Sequence, residues 1–323
     1  QMTLSSGTLN FNSGNNLTLN NLSFAGGTLS SSDNINVSNN FNWTAGTLQG
    51  TGILDLTSAA STTFNGNLVQ DGMTVNVPTI NLGTGASYTL NGGALNAVNA
   101  SAITVGQTLN LTGGSFSTGG ALTVDGSINW SGGQLTAGAL VPNTLTVNSG
   151  GTVTLSGNGT LTANQLINQG SIIQNSGNNT FNTDIFNSGT YAINGGQLTA
   201  NSFTQTAGVI TLNGGTLQTS SLNLSNSALT GNGAINGNVI LANGSTLSPG
   251  FSPGLISITG NLTLDATSTT LIEVAGLTAG TLYDQIQVTG TAFLNGALQV
   301  SEINGFSASG GENFQPITCG VAC

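Results

Sequence analysis

Residues 231–300 read GNGAINGNVILANGSTLSPGFSPGLISITGNLTLDATSTTLIEVAGLTAGTLYDQIQVTGTAFLNGALQV. Short alternating pairs recur along this stretch: Val239 with Leu241, Leu262 with Leu264, Ile286 with Val288, Leu298 with Val300. Each pair sets two apolar side chains on one face of an extended chain, the period of a half-buried strand. Asn, Gly, Ser or Thr interrupts every run after a few residues, which predicts short strands. Strands of that kind gain stability by stacking on their neighbours, as the coils of a solenoid do.

The same texture runs upstream. Leu9 alternates with Phe11, Leu17 with Leu19 and Leu22 with Phe24, and Gly26-Gly27 then turns the chain. FNWTAGTL around Trp43 has a near copy, INWSGGQL, around Trp130; GGQLTA occurs at 132–137 and again at 195–200. The tryptophans are 87 residues apart and the hexamers 63 apart. Both separations lie near multiples of about 21 residues, within the range of stacked repeats. The expected fold is therefore all-β: a single parallel β-helix of about 15 coils over residues 1–300, on the order of 70 Å long at the ~4.8 Å strand spacing. Pro249, Gly250, Pro253 and Gly254 make a turn within it. Trp43 and Trp130, at a repeated strand position, are expected to fill the interior rather than to stack on sugar rings. Helix is excluded by frequent glycine, abundant β-branched residues and an apolar spacing of two.

Within residues 231–300 lie a G-x-G-x-I-x-G-N run at 231–238, an S-P-G-x-S-P-G turn at 248–254, Y-D-x-I-x-V-x-G at 283–290 and G-x-L-x-V at 296–300. In these motifs the last third of the chain resembles the downstream part of autotransporter passenger domains and related secreted β-strand-repeat proteins. That resemblance implies a right-handed winding and export to the cell surface or beyond. It departs from the family in one respect: nothing after Val300 resembles the membrane barrel into which autotransporters continue.

Composition narrows the chemistry. The 323 residues include no Lys, Arg or His, ten Asp and Glu, and 49 Gly, for a net charge of −10. With 37% apolar residues and a mean hydropathy of +0.17, the chain can bury a core, unlike a disordered segment of low hydrophobicity and high charge. The lack of cations removes any footprint for nucleic acid or anionic membrane. No apolar run approaches the ~20 residues that span a bilayer. Gln1 is expected to be a mature N-terminus left by signal cleavage.

Without His there is no Ser-His or Cys-His pair, and without Lys or Arg no cationic clamp on a transition state. Asn182-Thr183-Asp184 matches one element of polygalacturonase-type β-helix glycosidases, but the companion Asp, G-H-G and R-I-K elements are missing, so Asp184 is expected in a turn. The isolated Asp71-Gly72 and Asp125-Gly126 are not the glycine-aspartate repeats of calcium β-rolls. The threonine alternations at 152–154 and 160–162 are not sustained over successive coils as an ice-binding array would require. No enzyme activity, metal or cofactor is expected.

Five of the ten carboxylates fall in the final 59 residues, and strict alternation fades over 301–323, which reads as a cap or assembly segment. Its Cys319 and Cys323 are expected to oxidise in an exported protein. Their bridge closes a small internal loop or links neighbouring molecules, and the sequence leaves both open. The expected function is an extracellular structural protein that polymerises with itself by end-to-end stacking into a durable fibre or tube. The alternative is a monomeric passenger-like adhesin for glycans or cell surfaces.

Overall fold

The computed structural model describes residues 1–138, 144–250 and 253–323, and every regular element among them is a β-strand. All the named strand pairings are parallel, the signature of a solenoid of stacked coils. The coils number about 13. The chain divides into two compact units, Gln1–Ile167 and Asn168–Cys323.

In the first unit each coil supplies three strand segments, and equivalent residues stack in register. One column runs Leu4, Phe24, Trp43, Phe64. A second runs Leu9, Leu29, Leu48, Gln70, Leu90, Leu111, Trp130, Leu155. The third runs Leu17, Ile35, Leu54, Val75, Leu95, Phe116, Leu135, Leu161. Because side chains alternate between faces, the apolar member of each pair points into the coil and the Asn, Ser or Thr between points out. Burial of each inward Leu, Ile or Phe contributes about 1.5–3 kcal/mol. Stacking thus repeats a favourable contact at every coil, and that is what holds so polar a chain together.

The second unit repeats the plan. Asn179, Leu198, Leu217, Ile235, Ile258, Val288 and Cys319 form one column. Ile185, Phe203, Leu222, Val239, Leu262 and Ala292 form another, and Ile172, Tyr191, Ile210, Leu229, Leu247, Thr270 and Leu298 the third. Polar interruptions of the interior are mostly satisfied. Asn168 Nδ2 donates to Asn187 Oδ1 at 2.6 Å, and Asn187 Nδ2 donates in turn to Gln205 Oε1. In the first unit, buried Gln70 donates to Ala94 O at 2.9 Å while its own oxygen accepts from Tyr88 Oη. Such ladders pair most of the amides that the low-dielectric interior would otherwise penalise, with Gln174 Oε1 as an exception.

Three sequence-based expectations are corrected. Strands are not uniformly short: Ile35–Gly50 and Val209–Ser225 run unbroken for 16 and 17 residues. Glycine bends them from one face to the next without ending the hydrogen-bond ladder, as at Gly46, where φ is +103°. The coils are also fewer than 15, because some are long. Stacked partners are separated by 18 residues at Leu17 and Ile35 but by 25 at Ser127 and Thr152 and by 30 at Leu255 and Gln285. Finally, the two tryptophans are not equivalent. Trp43 stacks between Phe24 and Phe64, whereas Trp130 lies between Leu111 and Leu155, in the column of Leu48. The 87-residue spacing is therefore not four whole coils.

Candidate assembly edges

A parallel stack leaves an unpaired strand edge at each of its ends. In the first unit, among the described residues, Met2–Leu4 and Thr8–Phe11 pair only with Leu17–Ser31. The inward side chains of this first coil (Leu9, Phe11, Leu17 and Leu19) are half-exposed, while Leu29, Ile35 and Val37 stacked on them are buried. Asp33 fastens the coil at a corner by accepting Ser13 N at 2.6 Å, Ser13 Oγ at 2.9 Å and Gly14 N at 3.0 Å.

The last coil of the second unit begins with Ala297–Glu302, paired on one side with Thr269–Val274. In register, Leu298 follows Thr270, Val300 follows Ile272 and Glu302 follows Val274. Thr270, Ile272 and Val274 are buried, so their successors occupy inward positions, yet Leu298 and Val300 are 54% and 57% exposed. These side chains belong to a core that is covered on one side only. Beside Leu298 lies a cavity of about 190 Å³ lined by Leu264, Thr270, Leu294 and Ile317 among others.

The stacking does not stop at Val300. Ile317–Cys319 pairs with Gln285–Val288, and Ala322 bridges Thr291, so much of 301–323 is one further coil with an insertion at 303–316. Alternation in fact persists through Leu298, Val300 and Glu302, a signal in the sequence that the acidic residue obscured. Cys319 and Cys323 form an internal disulfide, with Cα atoms 5.6 Å apart. A bridge this short closes a loop worth only about 2 kcal/mol in the chain-entropy account, confined to the last coil. Denatured, non-reduced protein is therefore expected to run as a monomer, and Cys→Ser at both positions is expected to leave the fold intact. A reductant-sensitive ladder on the gel would contradict this.

Pro249 ends the strand Thr246–Pro249 and is buried opposite Gly231; Gly250 N donates to Gly231 O at 2.7 Å. Gly254 N donates to Asp284 Oδ1 at 2.7 Å, and Pro253 is half-buried beside it. The Phe251 and Ser252 between them lie outside the described residues. Trp43 and Trp130 are fully buried, and neither is presented to a ligand. Asp184 sits within the strand Asn178–Asn187, not in a turn, and accepts Ser202 Oγ at 2.7 Å. Among the described residues no three His, Cys, Asp or Glu side chains are grouped to hold a metal.

Three carboxylates have shifted titration. Burial works against ionised Asp33, but its hydrogen bonds from Ser13 and Gly14 hold it below the ordinary carboxylate range. Asp265 is held well below that range by Asn243 N, then by Ser268 and Thr267. Asp284 is raised, first by burial and also by the charge of Glu273, against donation from the Glu273 and Gly254 amides. For the first two, the stabilisation is full above the unfolded value of about 3.9 and is lost as pH falls through the folded value. Asp284 has the opposite sign and gains as it protonates. As pH falls from neutrality the melting temperature is expected to rise slightly while Asp284 protonates, and then to fall below about pH 4 as Asp33 and Asp265 lose their contribution. A melting temperature that rises steadily down to pH 2 would contradict the assignment.

Tyr191 shows the cost of an unpaired group. Its hydroxyl is buried with no hydrogen-bond partner, its ring packs edge-on to Phe203 at 5.2 Å, and burial pushes its ionisation upward. Tyr191→Phe is expected to raise stability by about 1 kcal/mol, measured by denaturant unfolding. Destabilisation would show that the hydroxyl is satisfied.

No family model, curated protein or solved structure matches the chain.

Proposed function

We propose that this protein is an extracellular, non-enzymatic structural protein whose solenoids stack end to end into a durable fibre or tube. The observation that carries this reading is the pair of half-covered coils: inward apolar residues at Leu9, Leu17, Leu298 and Val300 are left partly bare beside unpaired strand edges. A parallel edge is a template for another parallel strand. Natural sheets block such templates with charged side chains, above all Lys, and this chain has no Lys at all. A second copy stacked in register would bury those side chains as the coils bury theirs, and a head-to-tail contact of this kind repeats without closing. Right-handed winding is part of the proposal, since parallel crossovers are right-handed in about 98% of cases. So is a surface location, which rests on the passenger-like motifs of residues 231–300. The absence of Lys and Arg suits such a material, because trypsin-like proteases have no site to cut.

Electron microscopy of purified protein over a concentration series tests the reading. The expected result is unbranched filaments of uniform width, with stability that depends weakly on salt because no Lys or Arg is present to form ion pairs. Dispersed particles at every concentration, with binding to a glycan or cell surface, would favour an adhesin instead.

A further inference from the structure

The two edges differ in one respect. On the first coil every inward position is apolar or neutral, whereas the terminal strand Ala297–Glu302 ends in a carboxylate at an inward position, directly over Val274. The 303–316 insertion folds back to this residue. Ala308 N donates to Glu302 Oε1 at 2.8 Å, and Ser309 N donates to Glu312 Oε2 at 2.7 Å. The other end of the insertion is pinned by Phe314, whose ring meets Tyr283 edge-on at 5.3 Å, and by Gln315 N, which donates to Tyr283 Oη at 3.3 Å. Between strap and strand lies a cavity of about 450 Å³, with Ile272, Val300 and Phe314 in its wall and Glu302 and Glu312 beside them.

We infer that Glu302 and the strap 303–316 form a gate on this edge that slows the docking of a second copy. The inference rests on the stacking reading above. An incoming coil laid in register would enclose the Glu302 carboxylate, and an enclosed charge is strongly unfavourable unless it is paired. No copy of this chain can supply a Lys, Arg or His to pair it. Inward-pointing charge on an edge strand is a recognised way to prevent uncontrolled pairing. The strap adds a second obstacle, because it occupies space beside Val300 that a stacked coil would take. Growth therefore depends on displacing the strap and placing Glu302 outside the contact, and the edge at Met2–Leu4 carries no matching restraint.

The test compares the full-length protein with Glu302→Leu, Glu302→Gln and, as a control of equal charge change on the first unit, Asp125→Asn. Filament growth from sheared seeds is followed by light scattering and microscopy, and circular dichroism confirms that each variant is folded. Glu302→Leu is expected to elongate at least tenfold faster than the parent. Glu302→Gln, which keeps an acceptor for Ala308 N, is expected to fall between, and Asp125→Asn to match the parent. If Glu302→Leu and Glu302→Gln both elongate at the parent rate, the gate is wrong while stacking stands. If Asp125→Asn accelerates growth as much as they do, net charge and not this position is responsible, and the gate is again overturned. No polymer from any of the four proteins would overturn stacking itself, and the gate with it.

Discussion

Trp43→Ala is expected to destabilise the first unit by about 3–5 kcal/mol, the largest single effect in the molecule. The indole is fully buried and stacks on Phe24 at 5.5 Å, meets Tyr88 edge-on at 5.6 Å and packs near Phe41 and Phe64. Its Nε1 donates to Ala45 O at 3.1 Å. Truncation removes the centre of a five-ring cluster that joins residues from four successive coils. The cavity left cannot collapse cheaply, because the surrounding rings are held by backbone ladders on both sides. Aromatic pairing adds about 0.5–1.5 kcal/mol per contact beyond burial. Urea unfolding followed by near-ultraviolet circular dichroism would measure the loss. A change below 1 kcal/mol would mean that the aromatic column is not the core of this unit.

Gly93→Ala should come next, at about 2–4 kcal/mol. Gly93 has φ +75°, a conformation costing an L-residue about 1–2 kcal/mol. A Cβ there would also stand 2.1 Å from Met73 O and 2.5 Å from Gly72 O in the preceding coil. Both oxygens lie at the corner between two paired stretches of Asn67–Val77 and Ser87–Ala97, and Met73 O already accepts Gln70 Nε2, so the strain adds to the steric cost. Gly85, also at positive φ, has nothing within 4 Å of its Cβ position, and Gly85→Ala should cost only the conformational part. The difference between the two variants isolates coil-to-coil contact, and equal losses would contradict it.

Much of this fold could be read from alternation. Leu262 with Leu264 and Ile286 with Val288 are inward, as their period implies, and they stack on residues that share it. What alternation could not supply was the path between strands. A corner at Gly46 and a broken end at a loop both read as glycine near polar residues, yet one continues the ladder and the other stops it. Similarity between FNWTAGTL and INWSGGQL was a poor guide to stacking, because any apolar side chain of suitable size serves in any column. Local motif and circumferential position are therefore uncoupled.

The candidate edges were legible only in part. The neutral surface and missing Lys were plain in the composition. The disulfide partners were plain too, though not whether they closed on each other. Glu302 was hidden by its own charge: a carboxylate after Val300 reads as the end of a strand, and only stacking on Val274 shows that the strand includes it. Asp284, buried and joining the amides of Gly254 and Glu273, had no signal beyond its Tyr-Asp neighbourhood, because its partners lie 30 and 11 residues away.

Fibre diffraction from aligned polymer tests most directly the claim that coils stack in parallel within a molecule and continue from one molecule to the next. The account predicts a sharp meridional reflection near 4.8 Å, with strands perpendicular to the fibre axis. Filaments whose 4.8 Å reflection falls on the equator, or that lack it, would contradict end-to-end stacking.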